Sequence, residues 1–383
     1  MIAGSTAEAF NLFGTNSQIS VSRGLAEFHA RRPVLMRAAG ETLLALPVEG
    51  LAQQTLAAFV RLCAPATPRL VITARRATAL GLSADSPMVL QLAARHGTEQ
   101  ILALVEDVKS VGKLEAQPAG EAASAAIQLA KLSHGLPAVL TAQTTAVHPN
   151  IVAVEATAVK SFRDDLVRSL AIASEAPVPL NTGTRTRFVV FRDAMGGSSV
   201  AIVVGKPDLA APVPVRLHSA CLTGDVFGSR RCDCGDQLKL ALARLEDLGG
   251  GIILYLAQEG RGLGLANKMR TYQMQDDGLD TVDANTTLGF DDDERDYGIA
   301  ARMLQMLDCT RIALLTNNPA KLDGLSKAGI EIVRQLPLEA PINADNRRYL
   351  AAKAARAGHH LDHLMASLAD PAEPTQDVAP LAT

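Results

Sequence analysis

The stretch RLHSACLTGDVFGSRRCDCGDQL, Arg216 to Leu238, decides how this chain is read. Three of the protein's five cysteines, Cys221, Cys232 and Cys234, fall inside it, set among Gly224, Gly228 and Gly235. A C-x-C pair presents two thiolates to one ion from an extended or turning backbone, and a third cysteine upstream completes one face of a tetrahedron. Zinc suits such a set, and three thiolates with no evident fourth protein ligand leave a position for water, the mark of a catalytic rather than a closed structural site. Two other readings of the same residues stay open: a closed structural zinc with His218 as fourth ligand, and reduced cysteines packed as small hydrophobes. Disulfides are disfavoured, because five cysteines in 383 residues without an export signal point to a reducing compartment.

Outward from this stretch, length and composition set bounds. A chain of 383 residues exceeds one core, so two domains plus tails are expected. With 48% hydrophobic and 20% charged residues it belongs among soluble globular proteins. A net charge of -3, 3% aromatics and no Trp supply neither the basic field nor the stacking rings of an extended nucleic-acid surface. The first positive residue is Arg23 and no long apolar run precedes it, so neither a signal peptide nor a membrane span is expected, and cytoplasmic residence follows.

Residues 1–22 are small and polar apart from Phe10 and Phe13, and a flexible arm is expected there. LAQQTLAAFVRLC (Leu51 to Cys63) has helical spacing, and RLVITA (Arg69 to Ala74) is a short buried strand. EAASAAIQLAKLS (Glu121 to Ser133) is a second amphipathic helix, closed by Gly135 and Pro137 and followed by the apolar AVLTA. Helix, turn and strand in succession indicate an α/β domain over 23–176. His29, His96, His134 and His148 are scattered singly, and Cys63 lies on an apolar helix face, so this half offers little chemistry of its own.

The order of elements in TLLALPVEGLAQQTLAAFVRLCAPATPRLVITARRATALGL and AAIQLAKLSHGLPAVLTA resembles 3,4-dihydroxy-2-butanone 4-phosphate synthase. The acidic run that holds magnesium in that family should fall near Arg37 to Leu43, where this chain has RAAGETL, with Glu41 the lone acid. The family's downstream Gly-His-Thr-Glu is replaced by Gly120, Glu121, Ala122 and Ala123. The expectation is a non-catalytic domain that kept the fold and lost the synthase.

Between Ala146 and Leu180, Pro149, Pro177 and Pro179 and the patch SFRDDLVRSLAIASEA indicate a linker with one helix, and the boundary is placed at Pro177. TRTRFVVFRD and SVAIVVG form a strand pair about Met195-Gly196-Gly197, and VPVRLHS is the strand that enters the cysteine stretch. A helix follows through LKLALARLEDL; GIILYL and RIALLT are continuous apolar strands, buried on both faces. GIILYL delivers QEGRGLG (Gln258 to Gly264) to a strand's C-terminal end, where open α/β sheets bind ligands. Arg261 offers a guanidinium fork for phosphate, and the loop is equally a plain turn on this pattern alone. LANKMRTYQMQ places Lys268 and Tyr272 four residues apart on one helical face. The acidic run Asp291 to Asp296 suits a solvated helix N-terminus, although Arg295 stands inside it. TNNPAK, Thr316 to Lys321, combines a polar turn, a helix start and a lysine in an anion site.

These residues carry a second and closer resemblance. HSxCLTGDVFGSxRCDCGxQL, LYLxQEGRGxGLxNKxRxY, DxGxDTVxAN, LGFxxDxRDY, LLTNNPxK and NRRYLxxKxxxxGHxL stand in order between Ala173 and about Leu364, and over this span the chain resembles GTP cyclohydrolase II. The resemblance implies a GTP cyclohydrolase II domain over 177–365 with mixed α/β sheets; beyond it, ASLADPAEPTQDVAPLAT is Pro- and Ala-rich, and a disordered tail over 366–383 is expected. It implies zinc-dependent opening of the imidazole ring of GTP, release of C8 as formate, and loss of pyrophosphate, giving the diaminopyrimidine precursor of riboflavin. Under it, Cys221, Cys232 and Cys234 hold one zinc per chain, which activates water toward C8. Arg216, His218, Ser219, Gln237, Glu259, Gly260, Arg261, Thr281, Thr316 and Lys321 bind GTP, with magnesium on the triphosphate. Asp293 is implied as proton acceptor, Arg295 as nucleophile toward the α-phosphate, and Tyr272 as an aid to the zinc water. Because a free arginine stays protonated, charge stabilisation of the leaving pyrophosphate is the alternative role for Arg295. The resemblance also implies a homodimer.

One position departs from the pattern. Many members read His-Ser-Glu-Cys, and this chain has Ala220 before Cys221. If the missing carboxylate contacts nucleotide, binding weakens or an intermediate changes fate; if it orients a neighbour, Gln237 or Glu259 suffices. A nucleotide-binding regulatory paralogue, or a member with altered chemistry, is the competing reading.

Overall fold

The computed structural model describes residues 15–93, 96–107, 115–146, 149–180, 183–341, 343 and 346. Within them the chain builds two seven-stranded mixed sheets, the α/β class expected.

The first sheet has the order β5-β4-β3-β6-β2-β1-β7. Its strands are β1 (Val34–Ala38), β2 (Glu41–Pro47), β3 (Arg69–Ile72), β4 (Met88–Leu90), β5 (Ala116–Pro118), β6 (Ala138–Gln143) and β7 (Ala153–Glu155). All neighbours pair antiparallel except β1 with β7. The period of two along each strand divides the side chains between two cores. Val34, Met36, Leu43, Ala45, Val71 and Val139 pack under helices Asn16–His29, Glu121–Leu132 and Ala156–Ser169. Leu35, Leu44, Leu46, Leu70, Ile72 and Leu140 face the other way, toward helices Gln53–Cys63 and Thr98–Glu106. That second core also takes in Leu263, Met274, Ala284, Leu288 and Phe290, so the two halves of the chain share it.

The second sheet has the order β14-β13-β11-β12-β10-β9-β8. Its strands are β8 (Ala171–Pro179), β9 (Arg185–Arg192), β10 (Ser198–Gly205), β11 (Val213–Ser219), β12 (Gly250–Leu256), β13 (Arg311–Leu315) and β14 (Glu331–Leu336). The four strands from β14 to β12 run parallel, and β10, β9 and β8 add antiparallel. Helix Gly298–Met306 covers one face through Ala300, Ala301, Met303 and Leu304, and helix Cys234–Asp247 covers the other through Ala241 and Leu245. β12 is buried at six of its seven positions because it is covered on both sides.

Three expectations change. Of the stretch 1–22 expected as a flexible arm, residues 1–14 lie outside the described residues, and the rest is ordered: Thr15 closes a capping box with Gln18, and helix Asn16–His29 buries Val21, Gly24, Leu25 and Phe28, giving it a face to pack. The helix expected from Leu238 begins four residues earlier, at Cys234. The segment before Pro177 is β8, an edge strand that holds Pro177 and Pro179 while pairing with β9, as prolines permit at a sheet edge. The expected tail 366–383 and most of the motif from Asn346 to Leu361 lie outside the described residues, as does His148.

The two segments that depart from the synthase pattern lie side by side. Residues 37–43 form the β1–β2 hairpin, and Glu41 Oε2 accepts from Ala122 N at 3.2 Å. Glu121 pairs with Lys160 at 2.6 Å. Among the described residues, no group of three His, Cys, Asp or Glu side chains close enough to share an ion includes Glu41.

Candidate active site

The parallel strands β11, β12 and β13 end at one edge of the second sheet, and each runs directly into a functional segment. Ser219 of β11 lies in register with Leu256 of β12, and Val215 with Leu314 of β13. From these ends come Cys221, the loop Gln258–Gly264 and the turn Thr316–Asn318, as the carboxyl-end rule for open sheets requires. Together with helices Leu265–Asp276 and Thr281–Thr287 they enclose a cleft of about 1090 Å³, open mouth included.

Sulfur occupies one wall. The ligand atoms of Cys221, Cys232 and Cys234 all lie within 4.8 Å of one another, and among the described residues this is the group of three His, Cys or acidic side chains close enough to share an ion. Cys221 and Cys232 Sγ are 3.7 Å apart. Hydrogen bonds from Cys232 and Cys234, aided by Lys268, hold the Cys221 thiol far below its usual range. The same contact with Cys221 raises Cys232 and Cys234. Lys268 Nζ lies 3.0 Å from Cys221 Sγ, and three thiolates brought this close call for a further cation. Gly224 N also donates to Cys221 Sγ at 3.3 Å. A soft, thiolate-preferring ion fits this donor set.

Gly224 shapes the same pocket. A Cβ there would stand 2.9 Å from Cys232 Sγ, 3.1 Å from Cys221 Sγ and 3.1 Å from Cys234 Cβ. Gly224→Ala is therefore expected to lower the metal retained per chain after gel filtration while leaving the far-ultraviolet circular dichroism unchanged. Equal metal content in the two proteins would count against a site at these sulfurs.

His218 is not part of the sulfur group. Its Nε2 lies 3.1 Å from both oxygens of Asp225, and its ring stacks on Tyr255 at 5.5 Å. Asp225 also accepts from Tyr255 OH at 2.8 Å and from Cys221 N at 3.0 Å, so the pair braces the start of the cysteine loop. Burial lowers the His218 pKa despite Asp225.

A cationic wall faces the sulfurs. Arg216, 4% exposed, donates to Leu315 O at 3.0 Å and to Gln237 Oε1 at 2.5 Å, and burial pushes its pKa down to about 10. Arg216 Nε and Ser219 Oγ are buried without a partner, donors set for a ligand. Lys321 Nζ, also buried, donates to Leu217 O at 2.7 Å. Glu259 is spanned by chain donors: Lys268 Nζ at 2.8 Å on one oxygen and Leu222 N at 2.7 Å on the other. Its carboxylate therefore already serves the segment that follows Ala220.

Asp293 and Arg295 form a bidentate pair, Nε to Oδ1 at 2.7 Å and Nη2 to Oδ2 at 2.6 Å, and Tyr297 OH donates to Asp293 at 3.3 Å. Burial would raise the Asp293 carboxyl, but Arg295 outweighs it and holds it below the ordinary range. Arg295 lines the cleft, whereas Asp293 stands behind it. Tyr272 lines the cleft with Arg231 4.5 Å over its ring.

A family model described as GTP cyclohydrolase II matches residues 171–337. A protein named GTP cyclohydrolase-2 from Azospirillum brasilense is 39% identical over 360 residues, 89% of this chain and 93% of that relative. A GTP cyclohydrolase-2 from Xylella fastidiosa (strain Temecula1) is 38% identical over 379 residues, 96% of this chain and 94% of the relative. The chain belongs to the GTP cyclohydrolase II family. Riboflavin biosynthesis protein RibBA of Bacillus mycoides is 52% identical over 163 residues, 43% of this chain and 41% of that protein. GTP cyclohydrolase II is a family of hydrolases, and the likeness to the first two relatives runs through residues ahead of the 171–337 match, into the first sheet.

Of the residues singled out from the sequence for this GTP cyclohydrolase II site, Arg216, His218, Ser219, Cys221, Cys232, Cys234, Gln237, Glu259, Gly260, Arg261, Tyr272, Thr281, Thr316, Lys321 and Arg295 all line the one cleft. Asn285, Asn317 and Gln275 also line it and were not singled out; the TNNPAK motif held the signal for Asn317, whereas Asn285 becomes visible only when helix Thr281–Thr287 is placed. No described helix is long and apolar enough to cross a membrane.

Proposed function

We propose that this chain hydrolyses GTP to 2,5-diamino-6-(5-phosphoribosylamino)pyrimidin-4(3H)-one, formate and pyrophosphate, the entry step of riboflavin synthesis. The observation that carries the reading is the convergence of a three-cysteine cluster, buried unpartnered donors and Arg295, itself paired with Asp293, on one cleft. Cys221, Cys232 and Cys234 would hold one zinc ion, which supplies a Lewis acid for activating water.

The chain's own residues then divide the work. Arg216, with Nε free, and Lys321 meet an anionic ligand from the β11 and β13 ends, and Arg261 and Arg295 meet it from the opposite rim. Ser219, Gln237, Glu259, Gly260, Thr281 and Thr316 offer polar contacts along the base and ribose, and His218 braces the floor through Asp225. Tyr272 stands beside Lys268, 5.7 Å from ring centre to Nζ, where it can order water near the sulfurs. Asp293 accepts a proton only once Arg295 leaves it for phosphate, because the pair keeps the carboxyl ionised. Charge stabilisation of departing pyrophosphate is the role for Arg295 that agrees with its bidentate pairing. Magnesium would arrive on the triphosphate, since a hard ion takes oxygen ligands and the clustered ligands here are sulfur.

The chain is proposed to divide into a non-catalytic synthase-like unit (23–176) and a cyclohydrolase unit (177–365), working as a cytoplasmic homodimer on a small-molecule substrate without nucleic acid or membrane. Five unpaired cysteines support a reducing compartment, and the exposed edge strand β8 supports self-association. Incubating the purified chain with GTP, zinc and magnesium is expected to yield formate and pyrophosphate in equal amounts. Pyrophosphate alone points to altered chemistry at Ala220, and neither product points to a nucleotide-binding paralogue.

A further inference from the structure

The loop that carries Asp293 and Arg295 has little structure of its own. Residues 290–297 form neither helix nor strand, and the backbone ties of the loop are Phe290 N to Asn285 O at 3.0 Å and Glu294 N to Arg261 O at 3.1 Å. Side chains of both halves hold it: Gln258 Nε2 donates to Asp296 O and Arg261 Nη1 to Asp292 O at 3.3 Å, and the first half of the chain supplies the larger set. Thr73 Oγ1 donates to Gly289 O at 2.7 Å, Arg76 Nη1 to Thr287 O at 2.8 Å, and Arg163 Nη1 to Glu294 O at 3.2 Å. Arg75 pairs with Asp291 at 2.9 Å. At the centre, Lys131 Nζ lies 2.5 Å from Glu294 Oε1 and 3.4 Å from Asp291 Oδ2, with the Lys131 and Glu294 side chains only 7% and 10% exposed. The same Glu294 Oε1 accepts from Asp291 N at 2.9 Å and so closes the turn 291–294.

We propose that the synthase-like half is a positioning scaffold for this loop, and that the buried Lys131–Glu294 ion pair is its clamp. The proposal rests on the proposed function only for which reaction suffers. Glu294 turns back to Lys131 while its two sequence neighbours pair with each other, so the side chain that anchors the loop lies between the two that serve the cleft. Without the ammonium, Glu294 is a buried carboxylate lacking its counter-ion. It must move toward water, and in moving it releases Asp291 N and drags the backbone between Asp293 and Arg295. Lys131 is therefore a positioning residue. This explains why a half without the synthase carboxylates keeps a well-packed core continuous with Leu288 and Phe290.

Hydrogen exchange of the full-length zinc-loaded chain, read on peptides spanning 288–297, tests this directly, beside steady-state formate release. Lys131→Met is expected to speed exchange at Asp291 and Glu294 while β11 and β12 keep their protection. It is expected to lower kcat by about tenfold or more with KM for GTP changed little, since misplacing reacting groups by about 1 Å costs on the order of a hundredfold. Lys131→Arg keeps the charge and is expected to restore both. The double variant Lys131→Met with Glu294→Gln removes the stranded charge as well, and is expected to recover loop protection relative to Lys131→Met alone; it also carries the test if Lys131→Met does not fold. Unchanged exchange in the loop, exchange raised throughout the chain, or losses in the double variant that simply add would each overturn the clamp. A wild-type chain without GTP turnover sinks the proposed function, and the exchange measurement still decides the scaffold.

Discussion

Cys232→Ser is expected to strip the chain of zinc and bring formate release down to background. The hydroxyl is smaller, harder and protonated at neutral pH, so the ion loses one of three thiolates, and among the described residues no further His, Cys or acidic side chain joins the group: His218 is engaged with Asp225, and Cys63 and Cys309 lie buried in the two sheet cores. A metal that contributes several kcal/mol of charge stabilisation translates, when lost, into on the order of a thousandfold or more in rate. Metal content by mass spectrometry and formate by a coupled assay read the two effects separately. Cys309→Ser is the control, because burial pushes that thiol up to about 11 and it touches nothing in the cleft; it is expected to cost some stability and no zinc. Formate release from Cys232→Ser at the wild-type rate would refute a catalytic metal at these sulfurs.

The second large effect is on stability. Arg76, 2% exposed, donates to four backbone carbonyls: Leu104 O at 2.8 Å, Ala103 O at 3.0 Å, Asp107 O at 2.8 Å and Thr287 O at 2.8 Å. Three of these close the C-terminal end of helix Thr98–Glu106, where a cation also meets the negative end of the dipole, and the fourth joins the other half of the chain. Burial drags the guanidinium down to about 10 yet leaves it charged at neutral pH. Arg76→Met fills the volume and removes the donor from all four carbonyls, of which Ala103 O keeps Asp107 N at 3.1 Å. The expected loss is about 3–5 kcal/mol, since each buried acceptor left without a donor costs about 1–3 kcal/mol. Urea unfolding should show a lower midpoint at an unchanged slope. A midpoint within error of wild type would mean that water reaches these carbonyls and that the two halves are not joined through Arg76.

The two halves were unequally legible. Strands β12 and β13 and the turns that follow them stand out because each is a continuous apolar run leading into a Gly-rich or Asn-Pro turn, which binary pattern and turn chemistry both mark, whereas β11, VPVRLHS, is marked by the cysteine stretch it enters. β1, β2, β4, β5 and β7 gave weaker signals: three residues of β4 or β7 carry no period, and PVLMRA beside ETLLALP is as compatible with a helix as with a hairpin until Gly40, at φ +73°, supplies the turn. The helical face of Asn16–His29 is hidden in the sequence because Val21 and Leu25 are buried by packing on Glu121–Leu132, a contact remote along the chain. Prolines 177 and 179 suggested a linker, and only the position of β8 at the sheet edge shows how a strand tolerates them.

By itself the sequence determined the chemistry available: three closely spaced cysteines, a Gly-rich loop with Arg261, the acidic run with Arg295, and Lys321 after a polar turn, all of them local patterns. It also left Glu41 as the lone acid between Arg37 and Leu43, where the synthase resemblance implies a metal-binding run. Only the tertiary structure decided that Asp293 stands behind Arg295, that His218 serves Asp225 in place of the sulfurs, and that Glu294 belongs to Lys131. Those pairings join residues up to 163 positions apart, and burial, which sets the strength of each charge, is a property of the packed sheets that no local spacing encodes.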